Sequence, residues 1–444
     1  MNRSRRNMLA SGLATCAVAL DVASASEGTV SSESNLSTWL KASAHPIGLD
    51  SAAGVALAIR EARVVGIGEG THGTHEDFSF KAAIILELAR DGSLGTLAFE
   101  ASRRAGAALD AFVLGQGSST SALDAMRQGL YRMWHCVEVV ELLNELRKIN
   151  KSKSARVRIV GIDVQDFTND ASAALSAAYK LGILDTRAER AVGRIIQSSH
   201  PQAAARNMGL EEIRDVRSAL SDLSVRLRSR QDSDEFSYKG HLISLAALHG
   251  FEYAIAAASR VLKDNDPIAV RDRGMAEIVL ALSGRQKVAL WAHNAHVDRE
   301  TPIGPGASPM GEHLSNSLGA DYAVVKFAWS DGCVHARDAR AHLSNDLAQS
   351  GFRRFRVRND RPGSIGRLLL DARLDRCWID LRSLPEAEWA REFLTLPMSW
   401  GSVGMTFDER SWHLSGSHPK WPIGRSTDVL VYFPVVTPSQ ILLG

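Results

Sequence analysis

The chain has 444 residues, of which 45% are hydrophobic and 23% charged, with a formal net charge of +2. This composition excludes a disordered chain and predicts a globular protein with a large core, as one large α/β domain or two smaller ones. Because acidic and basic residues nearly balance, the chain carries no electrostatic footprint for nucleic acid.

The first 25 residues have the composition of an export signal. Paired arginines, Arg5 and Arg6, precede a mildly apolar stretch that ends at Ala23-Ser24-Ala25. We therefore predict a signal peptide of the twin-arginine type over residues 1–25, with a disordered basic tail as the alternative. The apolar stretch is too short for a permanent membrane helix, so we expect a periplasmic or secreted protein with no stable membrane insertion.

Apolar runs bounded by glycine or polar residues predict the sheet. After a predicted linker over residues 26–44 and a helix at 49–62, strands are expected at 64–68, 94–99, 157–162, 287–292, 321–327, 376–381 and 428–433. Helical patterns separate the early strands, and this alternation predicts an α/β fold with a mostly parallel sheet flanked by helices. We expect the α/β catalytic core to comprise residues 45–169 and 286–444, with a helical insertion or subdomain, residues 170–285, between the third and fourth strands.

Groups able to move protons follow four of these predicted strands. They are Glu69 and His72 after the first strand, Glu100 after the second, Asp163 after the third, and His293 and His296 after the fourth. Carboxyl ends of parallel strands meet at one edge of a sheet, where ligands bind. We therefore predict that Glu69, His72, Glu100, His293 and His296 form one catalytic cleft, with Asp163 more structural than catalytic.

These residue types suit ester hydrolysis by direct attack of water. An imidazole is a base with a pKa near neutrality, and either Glu69 or Glu100 could fix the tautomer of His72. His293 or His296 could donate to the developing oxyanion or protonate the leaving alcohol. A Gly-x-Ser-x-Gly nucleophile elbow is missing from the sequence, and no cysteine nucleophile is indicated. The expected partner is a small-molecule ester, without a cofactor.

Two other functions stay open. His72, His293 and His296 with a glutamate could bind a divalent metal, although their spacing is not that of the His-Glu-x-x-His zinc helix. A periplasmic protein that binds haem iron or a small ligand without turnover is the other alternative. Removal of residues 1–25 leaves Cys136, Cys333 and Cys377, so at most one disulfide can form.

The motifs together resemble the erythromycin esterase-like proteins over roughly residues 45–440. The segments that carry the resemblance are Gly68-Glu69-Gly70-Thr71-His72, Phe99-Glu100, Gly161-Ile162-Asp163-Val164-Gln165, Arg271-Asp272 with Met275-Ala276-Glu277, and Trp291-Ala292-His293-Asn294-Ala295-His296. The resemblance implies hydrolysis of an ester, in named members a macrolide lactone, with His72 as general base.

The same resemblance supplies candidates for substrate binding and two departures from the family pattern. The candidates for substrate binding are His75, Glu76, Lys81, Arg271 and Asp163. Lys81 stands where the family has an arginine, and Ile278 where an asparagine usually follows the glutamate. These departures bear on the positioning of the substrate more than on the chemistry.

Overall fold

A computed structural model of the protein describes residues 34–152, 156–196, 207–231, 234–258, 266–300, 307–339, 351–412 and 420–442. The predicted signal peptide lies outside the described residues, as do residues 26–33 of the predicted linker. The rest of that linker is a correction, because residues 34–43 form a helix and its Leu36 and Leu40 are buried. Two leucines four positions apart on one helical face drive this packing within an otherwise polar stretch.

The strands of the described residues are, in chain order, β1 His45–Pro46, β2 Val64–Ile67, β3 Thr96–Ser102, β4 Arg158–Asp163, β5 Val288–Trp291, β6 Tyr322–Asp338, β7 Phe352–Arg358, β8 Cys377–Asp380, β9 Pro397–Ser399, β10 Thr406–Phe407, β11 Lys420–Pro422 and β12 Val429–Val436. All seven predicted strands are present. Of the five further strands, β1, β7 and β10 join the same sheet, whereas β9 and β11 form a separate two-stranded sheet.

The α-helices are α1 34–43, α2 Ser51–Ala58, α3 His75–Arg90, α4 Arg103–Val113, α5 Ala122–Met126, α6 Val137–Ser152, α7 Phe167–Lys180, α8 Thr186–Ile196, α9 Leu210–Arg228, α10 Glu235–Ala258, α11 Pro267–Ser283, α12 Asn294–Val297, α13 Met310–Leu318, α14 Ile365–Asp371, α15 Glu388–Thr395 and α16 Ile423–Ser426.

Among the described residues, ten strands form one sheet in the order β1-β8-β12-β6-β2-β5-β3-β4, with β7 and β10 also paired to β6. The run from β12 to β4 is parallel, whereas β8 pairs antiparallel with β1 and β12, and β7 pairs antiparallel with β6. The predicted α/β fold with a mostly parallel sheet is confirmed.

Helices bury both faces of the parallel strands. Side chains along a strand point to alternate faces, and in β2 Val65 and Ile67 join one apolar cluster while Val64 joins another. Helices α2 to α6 contribute to the first cluster, and α10 to α13 contribute to the second. Burial on both faces explains why β2 and β5 read as continuous apolar runs instead of alternating ones.

Only helices connect β4 to β5 in the described residues. Helices α7 to α10 share an apolar cluster of their own, and α10 also packs on the sheet. α10 is long and apolar enough to cross a membrane, but 67% of its most apolar window is buried inside the protein. The insertion therefore forms a second layer stacked on the sheet through α10.

Strand β6 is much longer than the predicted 321–327, since it spans 17 residues to Asp338. Its second half alternates buried and partly exposed residues and pairs with β7, which the sequence did not indicate. This extension contains polar residues and Gly332, whose φ of 146° favours glycine. It is therefore not a continuous apolar run, and for that reason the sequence pattern did not indicate it.

Candidate active site

The carboxyl ends of the three central strands lie side by side. β2 and β3 both pair in parallel with β5, so Ile67, Trp291 and Phe99 form one row across the sheet. Neighbouring strands are about 5 Å apart, and residues just beyond this row are therefore close in space. The polar residues that follow the row within two positions are Glu69, Glu100 and His293.

Glycines let the loop after β2 pack tightly against its surroundings. A Cβ added to Gly68 would lie 2.1 Å from Oδ1 of Asn294, and one added to Gly73 would lie 1.8 Å from the carbonyl oxygen of His335. Neither contact leaves room for a side chain. The loop that carries Glu69 and His72 is thereby held between the loop after β5 and strand β6.

Glu69 is fully buried and binds two partners, one with each carboxylate oxygen. His72 Nδ1 lies 2.6 Å from Glu69 Oε1, and Lys81 Nζ donates to Oε2 at 2.7 Å. Lys81 Nζ also donates to the carbonyl of Ala292 at 3.0 Å. Burial lowers the pKa of Lys81, and the adjacent Glu69 carboxylate counteracts that shift. Because Nδ1 of His72 donates to a carboxylate, Nε2 of the neutral ring carries a lone pair.

Glu100 connects three groups of the site. Its Oε1 accepts a hydrogen bond from Arg271 Nη2 at 2.8 Å and lies 3.1 Å from His296 Nε2, and its Oε2 accepts from the backbone N–H of His293 at 3.0 Å. Burial opposes ionisation, but His296 and Arg271 hold the pKa of Glu100 well below its ordinary value. Glu100 is therefore a permanent anion.

Arg271 holds the ends of β3 and β4 together. It donates to both oxygens of Asp163, at 2.9 and 3.0 Å, in addition to its bond with Glu100. Asp163 also accepts from the hydroxyl of Tyr131 at 3.0 Å. Burial disfavours the charged guanidinium, yet Asp163 and Glu100 raise the pKa of Arg271 above its ordinary value. The planar fork of an arginine suits this geometry, which a lysine cannot reproduce.

His296 has a carboxylate at each ring nitrogen. Nδ1 lies 2.9 Å from Asp272 Oδ2, and Nε2 lies 3.1 Å from Glu100 Oε1. Burial opposes protonation, but Asp272 and Glu100 raise the pKa of His296 to about 10. Both nitrogens are then protonated, so the 3.1 Å approach of Arg271 Nη1 to Nε2 is a contact of two cations that Glu100 compensates.

His293 is neutral. Burial lowers its pKa well below the ordinary value, and the nearby His72 and His296 lower it further. Its Nδ1 caps α12 by accepting from the backbone N–H of Ala295 at 3.1 Å, so the proton of the ring is on Nε2. The rings of His72 and His293 lie 4.9 Å apart between centroids, which brings the two predicted histidines into one site.

Two predicted substrate-binding residues have other partners. His75 Nδ1 lies 2.7 Å from Glu138 Oε1, and the Glu76 carboxylate accepts from the backbone and the hydroxyl of Thr437, each at 2.7 Å. These bonds fasten α3 to α6 and to the segment after β12. His75 and Glu76 thus help to hold the fold around the site, and their predicted contact with a substrate stays a prediction.

The other three predicted substrate-binding residues lie in the cluster behind the catalytic groups. Lys81 is fully buried and Asp163 is 1% exposed, so neither presents a surface to a substrate. The Arg271 side chain is 13% exposed and is saturated with carboxylates. Their positions support a role in holding Glu69 and Glu100.

Three residues of this region were not predicted. Asp272 directly follows Arg271 in one of the family segments, and this position in the sequence was the signal that could have identified it. Asp77 is fully buried, accepts from the backbone N–H of Gly70 at 2.9 Å, and has its pKa raised to about 7 by burial. Ser402 Oγ lies 3.4 Å from His293 Nε2, and nothing in the sequence around it indicates this contact.

Within the residues that the structure describes, no group of three or more His, Cys, Asp or Glu side chains could hold a metal ion. One carboxylate lies next to Nδ1 of His72, and one lies next to each ring nitrogen of His296. Addition of a chelator to a turnover assay tests the metal-dependent alternative.

Known proteins resemble this chain in sequence and in fold. Erythromycin esterase type II of Escherichia coli is 24% identical over 364 residues, which cover 74% of this chain and 83% of that protein. A solved Bacillus cereus protein, 20% identical, superposes with a TM-score of 0.77 over 93% of this chain and 99% of its own. A mutant erythromycin esterase EreC in its open conformation, 16% identical, gives 0.59 over 88% and 94%.

The sequence also matches a model of a whole family over most of its length. The sequence model of the erythromycin esterase family matches residues 94–436, which include Glu100, Arg271, His293 and His296. The chain therefore belongs to the erythromycin esterase family.

Proposed function

We propose that this protein, a hydrolase by its family, cleaves a carboxylic ester or macrolactone with a water molecule activated by His72. The observation that carries the proposal is the bond between His72 Nδ1 and the buried Glu69, at 2.6 Å. This bond fixes the tautomer in which Nε2 is the basic nitrogen, as a general base requires. Lys81 holds the second oxygen of Glu69 and prevents the carboxylate from rotating away.

The arrangement of His72, Glu69 and Lys81 supports a two-step hydrolysis. Water attacks the ester carbonyl carbon while His72 Nε2 takes one of its protons, so a carbon–oxygen bond forms and the carbonyl oxygen becomes an oxyanion. The oxyanion then collapses, the bond to the alcohol oxygen breaks, and the protonated His72 returns its proton to the leaving alcohol. The products are a carboxylic acid and an alcohol, and His72 is regenerated.

His293 is suited to stabilise the oxyanion. Its neutral ring carries the proton on Nε2, and Glu100 holds its backbone N–H at 3.0 Å. A neutral imidazole can donate to developing charge without transferring its proton in the ground state. His296 has no free nitrogen, so its role is to hold Glu100 in the ionised form.

The substrate class is proposed from the family alone. The Escherichia coli relative is named for an activity on erythromycin, and a macrolactone is a cyclic ester that the described chemistry would open. Other esters, such as acylated sugars, use the same steps.

Turnover of a panel of esters by the purified protein tests the proposal. The panel contains an aryl acetate, macrolides and acylated sugars, and acid release is followed at constant pH with and without a chelator. We expect activity that survives the chelator, ¹⁸O from labelled water in the acid product, and no covalent acyl-enzyme by mass spectrometry. Activity lost with the chelator and restored by a divalent ion would instead establish metal dependence, and ligand binding without turnover would establish a binding protein.

A further inference from the structure

A segment far along the chain is attached to the loop that carries His72. Val403 forms a parallel bridge with Thr71, the backbone N–H of His72 donates to the Val403 carbonyl at 3.2 Å, and the N–H of Val403 donates to the Gly70 carbonyl at 3.3 Å. Val403 is 1% exposed. Hydrogen bonds in both directions fix the position of the preceding residue, Ser402, relative to the catalytic histidines.

Ser402 lies beside the donor nitrogen of His293. Its Oγ is 3.4 Å from Nε2, and its side chain is partly exposed, whereas His293 is buried. Because Nδ1 of His293 accepts from Ala295, the ring proton is on Nε2. A separation of 3.4 Å exceeds the usual 2.7–3.2 Å of an N–H···O bond, so an oxygen atom placed near both groups can accept from each of them.

The tautomer of His293 excludes one role for Ser402. A histidine whose Nε2 is protonated and whose Nδ1 accepts a backbone hydrogen bond has no lone pair with which to remove the serine proton. His293 therefore cannot activate Ser402 as a nucleophile. The hydroxyl is left to act as a hydrogen-bond donor.

We propose that Ser402 is a further catalytic residue, whose hydroxyl forms an oxyanion hole together with Nε2–H of His293. Both groups donate to the carbonyl oxygen of the ester as water attacks the carbon, and no covalent bond to Ser402 forms. The inference rests on the proposed ester hydrolysis. It assigns to the segment after β9 a direct part in the reaction.

Removal of one donor from an oxyanion hole reduces kcat by about 10²–10³-fold in enzymes of acyl transfer. We expect Ser402→Ala to lower kcat by about 10²-fold with KM within a few-fold of wild type, because the bond strengthens as charge develops. Ser402→Thr, which keeps a hydroxyl, should retain at least about a tenth of the wild-type kcat. The control is Ser399→Ala at the end of β9, three residues before Ser402, which should keep wild-type kcat.

A phosphonate that mimics the tetrahedral intermediate provides a second readout. Its affinity should fall in Ser402→Ala by the same factor as kcat, while the affinity for the product acid changes little. Equal losses in the Ala and Thr variants would assign Ser402 a packing role and overturn the inference. A rise in KM with kcat unchanged, or covalent labelling of Ser402 by a fluorophosphonate, would overturn it as well.

The same assays separate this inference from the proposed function. If wild-type protein turns over an ester and His72→Ala does not, but Ser402→Ala keeps wild-type kcat, only the role of Ser402 fails. If wild-type protein cleaves no ester of the panel, the proposed function fails first, and the Ser402 inference fails with it.

Discussion

Each half of the site contains a buried glutamate that binds a cation and a histidine, but the two histidines bind different numbers of carboxylates. In the half after β2, Glu69 is paired with a buried cation, Lys81, and binds one nitrogen of His72. In the half that β3 and α11 form, Glu100 is paired with Arg271 and binds His296, but Asp272 binds the other nitrogen of that ring. One carboxylate orients an imidazole and leaves a lone pair for chemistry, whereas two carboxylates raise the pKa of the ring to about 10 and keep it protonated at neutral pH.

We therefore expect the first half, with His72, to take part in the reaction and the second half to hold the groups of the site in place. The largest effect on turnover is expected from His72→Ala, which should reduce kcat by at least about 10²-fold because the general base is lost. The protein should still fold, but its melting temperature should fall, because the buried Glu69 loses the hydrogen bond from His72 and keeps the one from Lys81. Ester turnover and thermal unfolding measure the two quantities.

His75→Ala is the matched control for this substitution. His75 lies three residues further along the same loop and helix but binds Glu138, outside the cluster. Its kcat should stay within a few-fold of wild type. Similar losses in both variants would show that the loop as a whole, and not the Nε2 lone pair, is needed, and the distinction between the two halves would disappear.

Arg271→Met tests the positioning half through stability. The substitution leaves the buried Asp163 without its cation and leaves Glu100 with His296 alone, and loss of one partner of a buried pair costs about 3–5 kcal/mol. We expect that decrease in the free energy of unfolding, measured by denaturant titration. The control, Arg273→Met, removes a pair with Glu252 on a 46% exposed side chain, for which about 1 kcal/mol or less is expected. Equal decreases would contradict the proposed difference between these arginines.

The sequence allowed prediction of the site where apolar strands end in polar groups. Glu69, Glu100 and His293 all follow buried strands, and the topology of a parallel sheet converts that order into proximity. The interior of the sheet is equally predictable, because burial on both faces selects continuous apolar runs.

Residues whose positions depend on tertiary pairing were not predictable. Ser402 enters the site through a single bridge between Val403 and Thr71, and no local pattern encodes a pairing across more than 300 positions. The partners of His75 and Glu76 were not predictable for the related reason that Glu138 and Thr437 lie far along the chain. The family motif marks a segment as important but does not say which side of it faces the substrate.

Asp77→Asn tests the electrostatics of the first half with a smaller effect. Burial raises the pKa of Asp77 from 3.8 to about 7 in the folded protein, so the unfolded chain loses this proton first. The wild-type free energy of unfolding should therefore fall as pH rises from about 4 to about 7 and then level off, by less than about 4 kcal/mol from this group. The Asn variant should lack that part of the pH dependence. Parallel curves for the two proteins would show that the Asp77 carboxyl is not shifted.

The last prediction concerns only the protonation of the two histidines that follow β5, His293 and His296, and involves no change in turnover or stability. Burial and the nearby imidazoles lower the pKa of His293, while Asp272 and Glu100 raise that of His296 to about 10 against the effect of burial. Between pH 5 and 9, ¹⁵N resonances of the rings should show His293 neutral with its proton on Nε2 and His296 protonated on both nitrogens. His293→Asn and His296→Asn assign the two sets of signals. Titration of His293 near pH 6.5 would contradict the assignment of a neutral buried ring, because a ring that gains a proton on Nδ1 can no longer accept the hydrogen bond from Ala295 that fixes its tautomer.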